Sequence, residues 1–321
     1  MKFKIGFDKS DTKKLHEYWD DIIKRERWTE GYYTKKFEEL WAEYCGTKYA
    51  VAFGGWSSAA RCALEYFDVK GKKVICPSNT FMATPLSIKK AGGRVVFCDC
   101  SRNDLCMDIE SLSMVILKGT LVFLVHIGGH IAFEVEQLIA MCKSYGHPVI
   151  EDCAHAHGAL YKGNRAGTFG DCGIYSFTAT KTISTGEGGM LVTDNQQLYE
   201  FAMMWRNYGK FAHIVEGENG RMSEFNAAIG VVQTMRLDDI VEWKNEYVDK
   251  NYKGKYNMVE LPDGMISGYY KAITFDEIDN STGLVYDVGC HRIMKRNVSL
   301  PGTDWVNKHH WALPIYYRGD E

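Results

Sequence analysis

LVFLVH (121–126) and PVIED (148–152) decide how this chain folds. Each is a short run of apolar, mostly β-forming residues that ends on a polar side chain. Between them, residues 134–145 carry apolar side chains at helical spacing. A strand with two buried faces, then a helix, then another such strand, belongs to a parallel sheet covered on both sides. Outward from this pair the same alternation runs from Lys48 to about Phe201. The further strands are KYAVAF (48–53), KVICP (73–77), RVVFCD (94–99), IYSF (174–177) and GMLVTD (189–194). Helical patterns cover 57–66, 82–90, 109–116 and 196–207. Residues 1–47 read as mainly helical. Beyond about Leu237 the composition is mixed, with one strand pattern in YYKAITF (269–275). The expected fold is α/β: a three-layer α/β/α large domain over 1–237 with a mostly parallel sheet, then a smaller, shortened α+β domain over 238–321.

The 321 residues suffice for one large domain and a small one, and 45% hydrophobic against 25% charged is a globular balance. Lys and Arg number 38 and Asp and Glu 41, a net charge of −3 that argues against nucleic acid or an anionic membrane as partner. MKFKIGFDKS (1–10) is interrupted by charge and lacks the apolar core of a signal peptide, so the expectation is a cytoplasmic protein. The apolar stretch 121–133 is broken by His126, Gly128, Gly129 and His130 and is no membrane span. Ten cysteines are scattered through strand and helix patterns, which favours reduced, buried thiols. The best metal candidates are Cys98, Cys100 and Cys106, and Cys153 near His155 and His157; neither set has paired CxxC spacing, so no metal is expected.

In a parallel sheet, functional residues collect at the carboxyl ends of the strands. That shortlists GGWSS (54–58), SNTF (78–81), HIGGH (126–130), DCAH (152–155) and Ser176. The glycine fingerprints of dinucleotide and P-loop sites are absent, and so is the G-x-S-x-G hydrolase elbow. A pyridoxal phosphate enzyme needs a lysine for a Schiff base, a carboxylate for the pyridine nitrogen, hydroxyls or a helix N-terminus for the phosphate, and a flat side chain for the ring. Lys181, Asp152, the Trp56-Ser57-Ser58 turn with Ser176, and Phe81 supply these. Each has a plain alternative: a solvated lysine, a turn aspartate, N-cap serines, a core phenylalanine.

Taken together, WTEG (28–31), FEELWAEYCGTKYAV (37–51), PSNTFMAT (77–84), EDCAHAHGA (151–159), SFTATK…GEGGM (176–190) and GENGRMSEFNAAIG (217–230) resemble the DegT-type nucleotide-sugar aminotransferases, a branch of the fold-type I pyridoxal phosphate enzymes. The resemblance runs in consistent order over about residues 28 to 235. It implies that Lys181 forms the internal aldimine, that Asp152 pairs with the pyridine nitrogen, and that Phe81 stacks on the ring. It further implies that Trp56, Ser57 and Ser176 hold the phosphate. Asn219 matches a residue that reaches the phosphate of a neighbouring subunit, which implies a homodimer with shared sites.

Two residues depart from the family pattern. Trp56 stands where glycine is usual, so its bulk must point away from the phosphate or narrow the pocket. His155 replaces a commoner glutamine; it can still hydrogen-bond the cofactor's phenolic oxygen, with a charge state expected to depend on pH. The implied reaction moves an amino group from glutamate or glutamine to a keto group of a nucleotide-linked deoxysugar. An amino-cyclitol aminotransferase, a sugar dehydratase of the same family, and a non-catalytic cofactor-binding regulator are the alternatives. The dehydratases carry histidine in place of the lysine, and Lys181 argues against that reading.

Overall fold

The computed structural model describes residues 6–210 and 214–318. The strands are β1 (Tyr49–Phe53), β2 (Lys73–Pro77), β3 (Arg94–Cys98), β4 (Leu121–Val125), β5 (Val149–Asp152), β6 (Leu160–Tyr161), β7 (Asn164–Arg165), β8 (Cys172–Ser176), β9 (Gly189–Thr193), β10 (Met265–Ile266), β11 (Ala272–Thr274) and β12 (Trp311–Leu313). The α-helices are α1 (Lys9–Arg25), α2 (Tyr32–Cys45), α3 (Trp56–Tyr66), α4 (Ala83–Lys90), α5 (Ile109–Val115), α6 (Val135–Ser144), α7 (Gln196–Trp205), α8 (Glu224–Met235), α9 (Leu237–Asn251), α10 (Cys290–Ile293) and α11 (Pro301–Val306). All seven sheet strands read from the sequence are present, within two residues at each end.

They form one sheet in the order β1-β9-β8-β5-β4-β2-β3. Pairings among β3, β2, β4, β5 and β8 are parallel. β9 runs antiparallel to both of its neighbours, β1 and β8, so it alone is reversed. The strands alternate their side chains between two apolar layers, as a period of two requires. In β2, Ile75 joins the cluster of Phe37, Trp41 and Tyr175, whereas Val74 and Cys76 join that of Phe53, Phe123 and Trp205. Helices α2 and α8 cover the first layer, and α3 and α7 the second.

Beyond α8 the chain continues through α9 into short elements. β10 pairs with β6, and β11 pairs with β12, so the strand pattern in YYKAITF reduces to Ala272–Thr274. This portion is anchored to the sheet by Asp99, just after β3. Its carboxylate accepts from the backbone N–H groups of Gly302 (2.7 Å) and Thr303 (2.6 Å) and from the Thr303 hydroxyl (2.7 Å), at the head of α11.

The ten cysteines are buried free thiols. Among the described residues, no helix is long and apolar enough to cross a membrane. Cys153 groups with His126 and Glu151 and not with His155 and His157. The carboxylate of that group is occupied by protein donors, as described below.

Candidate active site

The carboxyl ends of β1, β4, β5 and β8 open onto a cavity of about 460 Å³. Its lining includes all eight residues proposed from sequence: Trp56, Ser57, Phe81, Asp152, His155, Ser176, Lys181 and Asn219. The reversal of β9 matters here, because its first residue, Gly189, then lies at the same edge, opposite Phe53 and Ser176. A Cβ on Gly189 would sit 2.6 Å from the carbonyl carbon of Gly55 and 2.7 Å from the nitrogen of Trp56. Only glycine leaves room for the turn that starts α3.

That turn presents a helix N-terminus to the cavity. Gly55 is the N-cap, with no side-chain cap bond, and Trp56, Ser57 and Ser58 begin the helix. Their N–H groups have no acceptor within the helix and lie at the positive end of its dipole. Trp56 satisfies the first of its two alternatives. Its indole packs in the core with Phe123 (ring centres 6.0 Å apart), so its bulk turns away from the mouth of the helix. Asn219 is exposed and reaches the cavity of its own chain, on a loop held by the Gly54 N–H to Gly220 carbonyl bond (2.8 Å). Asn219 and Lys181 thus line one cavity within a single chain.

Lys181 sits in the connection between β8 and β9. That loop is closed by bonds from the Phe177 N–H to the Gly188 carbonyl (2.9 Å) and from the Thr185 N–H to the Phe177 carbonyl (2.9 Å). Burial pushes the Lys181 ammonium down to about 8; Asp152 opposes this and the Lys271 charge adds to it. An amine so placed is partly free just above neutrality, unlike a solvated lysine.

Asp152, the last residue of β5, is buried. Its Oδ1 accepts from the Ala154 N–H (3.1 Å) and its Oδ2 from the Thr84 hydroxyl (3.2 Å), and Thr80 lies 3.0 Å from Thr84 to support it. A carboxylate has about four acceptor positions, so Asp152 keeps capacity toward the cavity. Burial raises its pKa, against the pull of Ala154, Lys181 and Thr84. Glu151, one residue earlier, points to the other face. It accepts from His126 Nε2 (2.9 Å) and from the N–H groups of Gly167 (2.8 Å), Phe169 (2.7 Å) and Gly170 (2.6 Å). Because His126 Nδ1 accepts from the Ala132 N–H (3.1 Å), Nε2 carries the hydrogen.

His155 is buried, and burial with the nearby Lys181 charge holds its pKa well below the ordinary value. It is therefore neutral across the physiological range, and the pH-dependent charge expected from sequence does not arise. Its ring stacks on Tyr270 (4.1 Å, 21° between planes), and its Nε2 lies 3.4 Å from the Tyr286 hydroxyl. Lys181 Nζ also lies over the Tyr270 ring, 4.7 Å from its centre. Thr84, His126, Tyr270 and Tyr286 escaped the sequence reading as site residues. His126 stands inside a quoted strand-end motif and Thr84 at the end of the quoted stretch PSNTFMAT (77–84); the two tyrosines follow from tertiary contact alone.

The residues fit pyridoxal phosphate on these observations alone. The helix head suits a phosphate, Asp152 has spare capacity for a pyridinium N–H, Lys181 is a partly free amine, and Phe81 is 65% exposed at the cavity. An α/β sheet with a lysine and a buried aspartate at its carboxyl edge defines the class. The chain belongs to the DegT/DnrJ/EryC1/StrS aminotransferase family, whose profile matches residues 9–259.

It is 34% identical to the GDP-perosamine synthase of Escherichia coli O157:H7, over 81% of this chain and 74% of that protein. It is 32% identical to the UDP-4-amino-4,6-dideoxy-N-acetyl-beta-L-altrosamine transaminase of Campylobacter jejuni, over 77% and 68%. Two further GDP-perosamine synthases, from Vibrio cholerae and Caulobacter vibrioides, are matched over 61% and 58% of their own lengths. Among solved structures, S. venezuelae DesV in complex with a ketimine intermediate superposes with a TM-score of 0.87 at 25% identity, covering 95% of this chain and 89% of that one.

Proposed function

We propose that this protein is a pyridoxal-phosphate-dependent aminotransferase that moves an amino group from glutamate or glutamine to a keto group of a nucleotide-linked deoxysugar. The observation that carries the reading is the meeting of Lys181, Asp152 and the α3 N-terminus in one cavity, in a chain of an aminotransferase family. When bound, the cofactor supplies an aldehyde for the amino group and a ring that takes up the electrons of a broken C–H bond.

The chain's own residues do the rest. The N–H groups of Trp56 and Ser57, with Ser176 and Asn219, hold the phosphate. Asp152, oriented by Thr84 and Ala154, keeps the ring nitrogen protonated. Phe81 covers the ring, and neutral His155 hydrogen-bonds its phenolic oxygen. The Lys181 amine would hold the cofactor's aldehyde carbon. Displaced by the donor's amine, Lys181 would be the base placed to take the proton from the donor's α-carbon and to return it to the cofactor's aldehyde carbon. In the second half-reaction the same amine would move a proton in reverse, with the sugar's keto oxygen leaving as water and nitrogen left on the sugar. A homodimer, and a division near residue 237 between a cofactor-binding part and a smaller part, belong to this reading. The test is spectroscopic: the loaded protein absorbs as a lysine-bound cofactor, glutamate converts that band to the amine form, and Lys181→Ala has neither property. Turnover by Lys181→Ala at a rate near that of the wild type would refute the proposal.

A further inference from the structure

HIGGH (126–130) has so far contributed only His126, and its two glycines have a separate role. Gly129 has φ +120°, and a Cβ there would lie 2.5 Å from the nitrogen of Tyr269 and 2.6 Å from that of Tyr270. The Gly129 carbonyl accepts from the Gly268 N–H (2.7 Å) and the Gly128 carbonyl from the Lys271 N–H (2.8 Å). Residues 268–271 are thus clamped against the end of β4 by backbone contacts that no other residue type permits. The clamp sets Tyr270 beside His155 and Lys181, and it sets Lys271 with it.

Lys271 Nζ lies 5.8 Å from the centre of the same Tyr270 ring that Lys181 overlies. Among the described residues its one hydrogen-bond partner is the hydroxyl oxygen of Thr282, at 3.4 Å. That hydroxyl in turn lies 3.2 Å from the Ala312 carbonyl and donates to it, so the lone pairs face Lys271. Behind it, buried Lys244 bonds the Tyr269 carbonyl (2.9 Å). Among the described residues neither lysine forms an ion pair, and burial lowers the pKa of both. A half-buried ammonium with one long hydrogen bond to a hydroxyl is incompletely compensated, and an anion would complete it.

We propose that Lys271 is the anchor for an oxyanion of a substrate, held by the Gly128–Gly129 clamp beside the Tyr270 ring that Lys181 overlies. This rests on the transaminase reading for its choice of anions: the carboxylate of an amino-acid donor or the diphosphate of a nucleotide-linked sugar. Titration calorimetry on protein equilibrated with pyridoxal phosphate distinguishes them, with glutarate as an unreactive dicarboxylate and inorganic pyrophosphate as the diphosphate. In Lys271→Met and Lys271→Gln the affinity for one probe should fall at least about tenfold, the loss of one charge-assisted bond. Lys271→Arg should retain most of it, and the probe that weakens names the source. Unchanged binding of both probes in the Met and Gln variants overturns the proposal, as does failure of the wild type to bind either. The lysine–cofactor absorbance of the same wild-type samples reports on the transaminase reading separately. Its absence would sink that reading, while Lys271-dependent anion binding would still stand.

Discussion

Glu151 and Asp152 are neighbours on one strand, both buried, and they do opposite work. Successive strand residues face opposite sides of the sheet. Glu151 faces the interior of a loop and accepts four hydrogen bonds, so nothing is left for a ligand. Asp152 faces the cavity and accepts two. The difference lies in how many donors the fold has already aimed at each carboxylate. A saturated buried carboxylate organises the chain around it; a half-satisfied one beside an open space waits for a partner.

Substitutions can break that contrast. The largest effect belongs to Lys181→Ala, expected to lower turnover by about 10³-fold or more, with folding intact, in a steady-state assay. Asp152→Asn should follow, with a loss of about 10²- to 10³-fold in turnover and a melting temperature close to the wild type. Glu151→Gln should do the reverse. It turns an acceptor of four N–H groups into one that brings donors of its own, at about 3 kcal/mol of stability by chemical denaturation, while activity per folded molecule survives. If the Asn variant unfolds and the Gln variant is inactive but stable, the two roles have been assigned the wrong way round. A smaller effect is expected for Thr84→Val, which removes one of the two donors to Asp152 and should cost turnover about tenfold.

The mildest probe is pH. In cofactor-free protein, labelling of Lys181 by an amine reagent should rise through a midpoint near pH 8, where the free amine replaces the ammonium, instead of near 10.5. A midpoint at 10 or above would mean that burial does not act on Lys181 as described.

Much of this was legible in the chain itself. The seven strands announced themselves because strands buried on both faces are almost uniformly apolar, as in LVFLV. The eight proposed site residues sat at strand ends or in family motifs, and the structure collects them in one cavity. The direction of β9 was hidden, because GMLVT carries the same apolar pattern whichever way it runs. Tyr270 was hidden for another reason. Its place beside Lys181 is decided by two glycines more than a hundred residues earlier, and no local pattern links them. His155 was misjudged in its charge because the burial and the lysine that set it are tertiary facts.

The reversal of β9 has one more consequence. A parallel β9 would need a crossover connection that runs back across the sheet to its opposite edge. That would carry the chain after β8 away from the cavity. As an antiparallel neighbour, β9 turns residues 177–188 into a short tether fastened at both ends to adjacent strands at the cavity mouth. Lys181 rides on that tether. In the proposed reaction its amine would let go of one partner and take another from a backbone fastened on both sides, so each return to the starting position would be a local swing instead of a search.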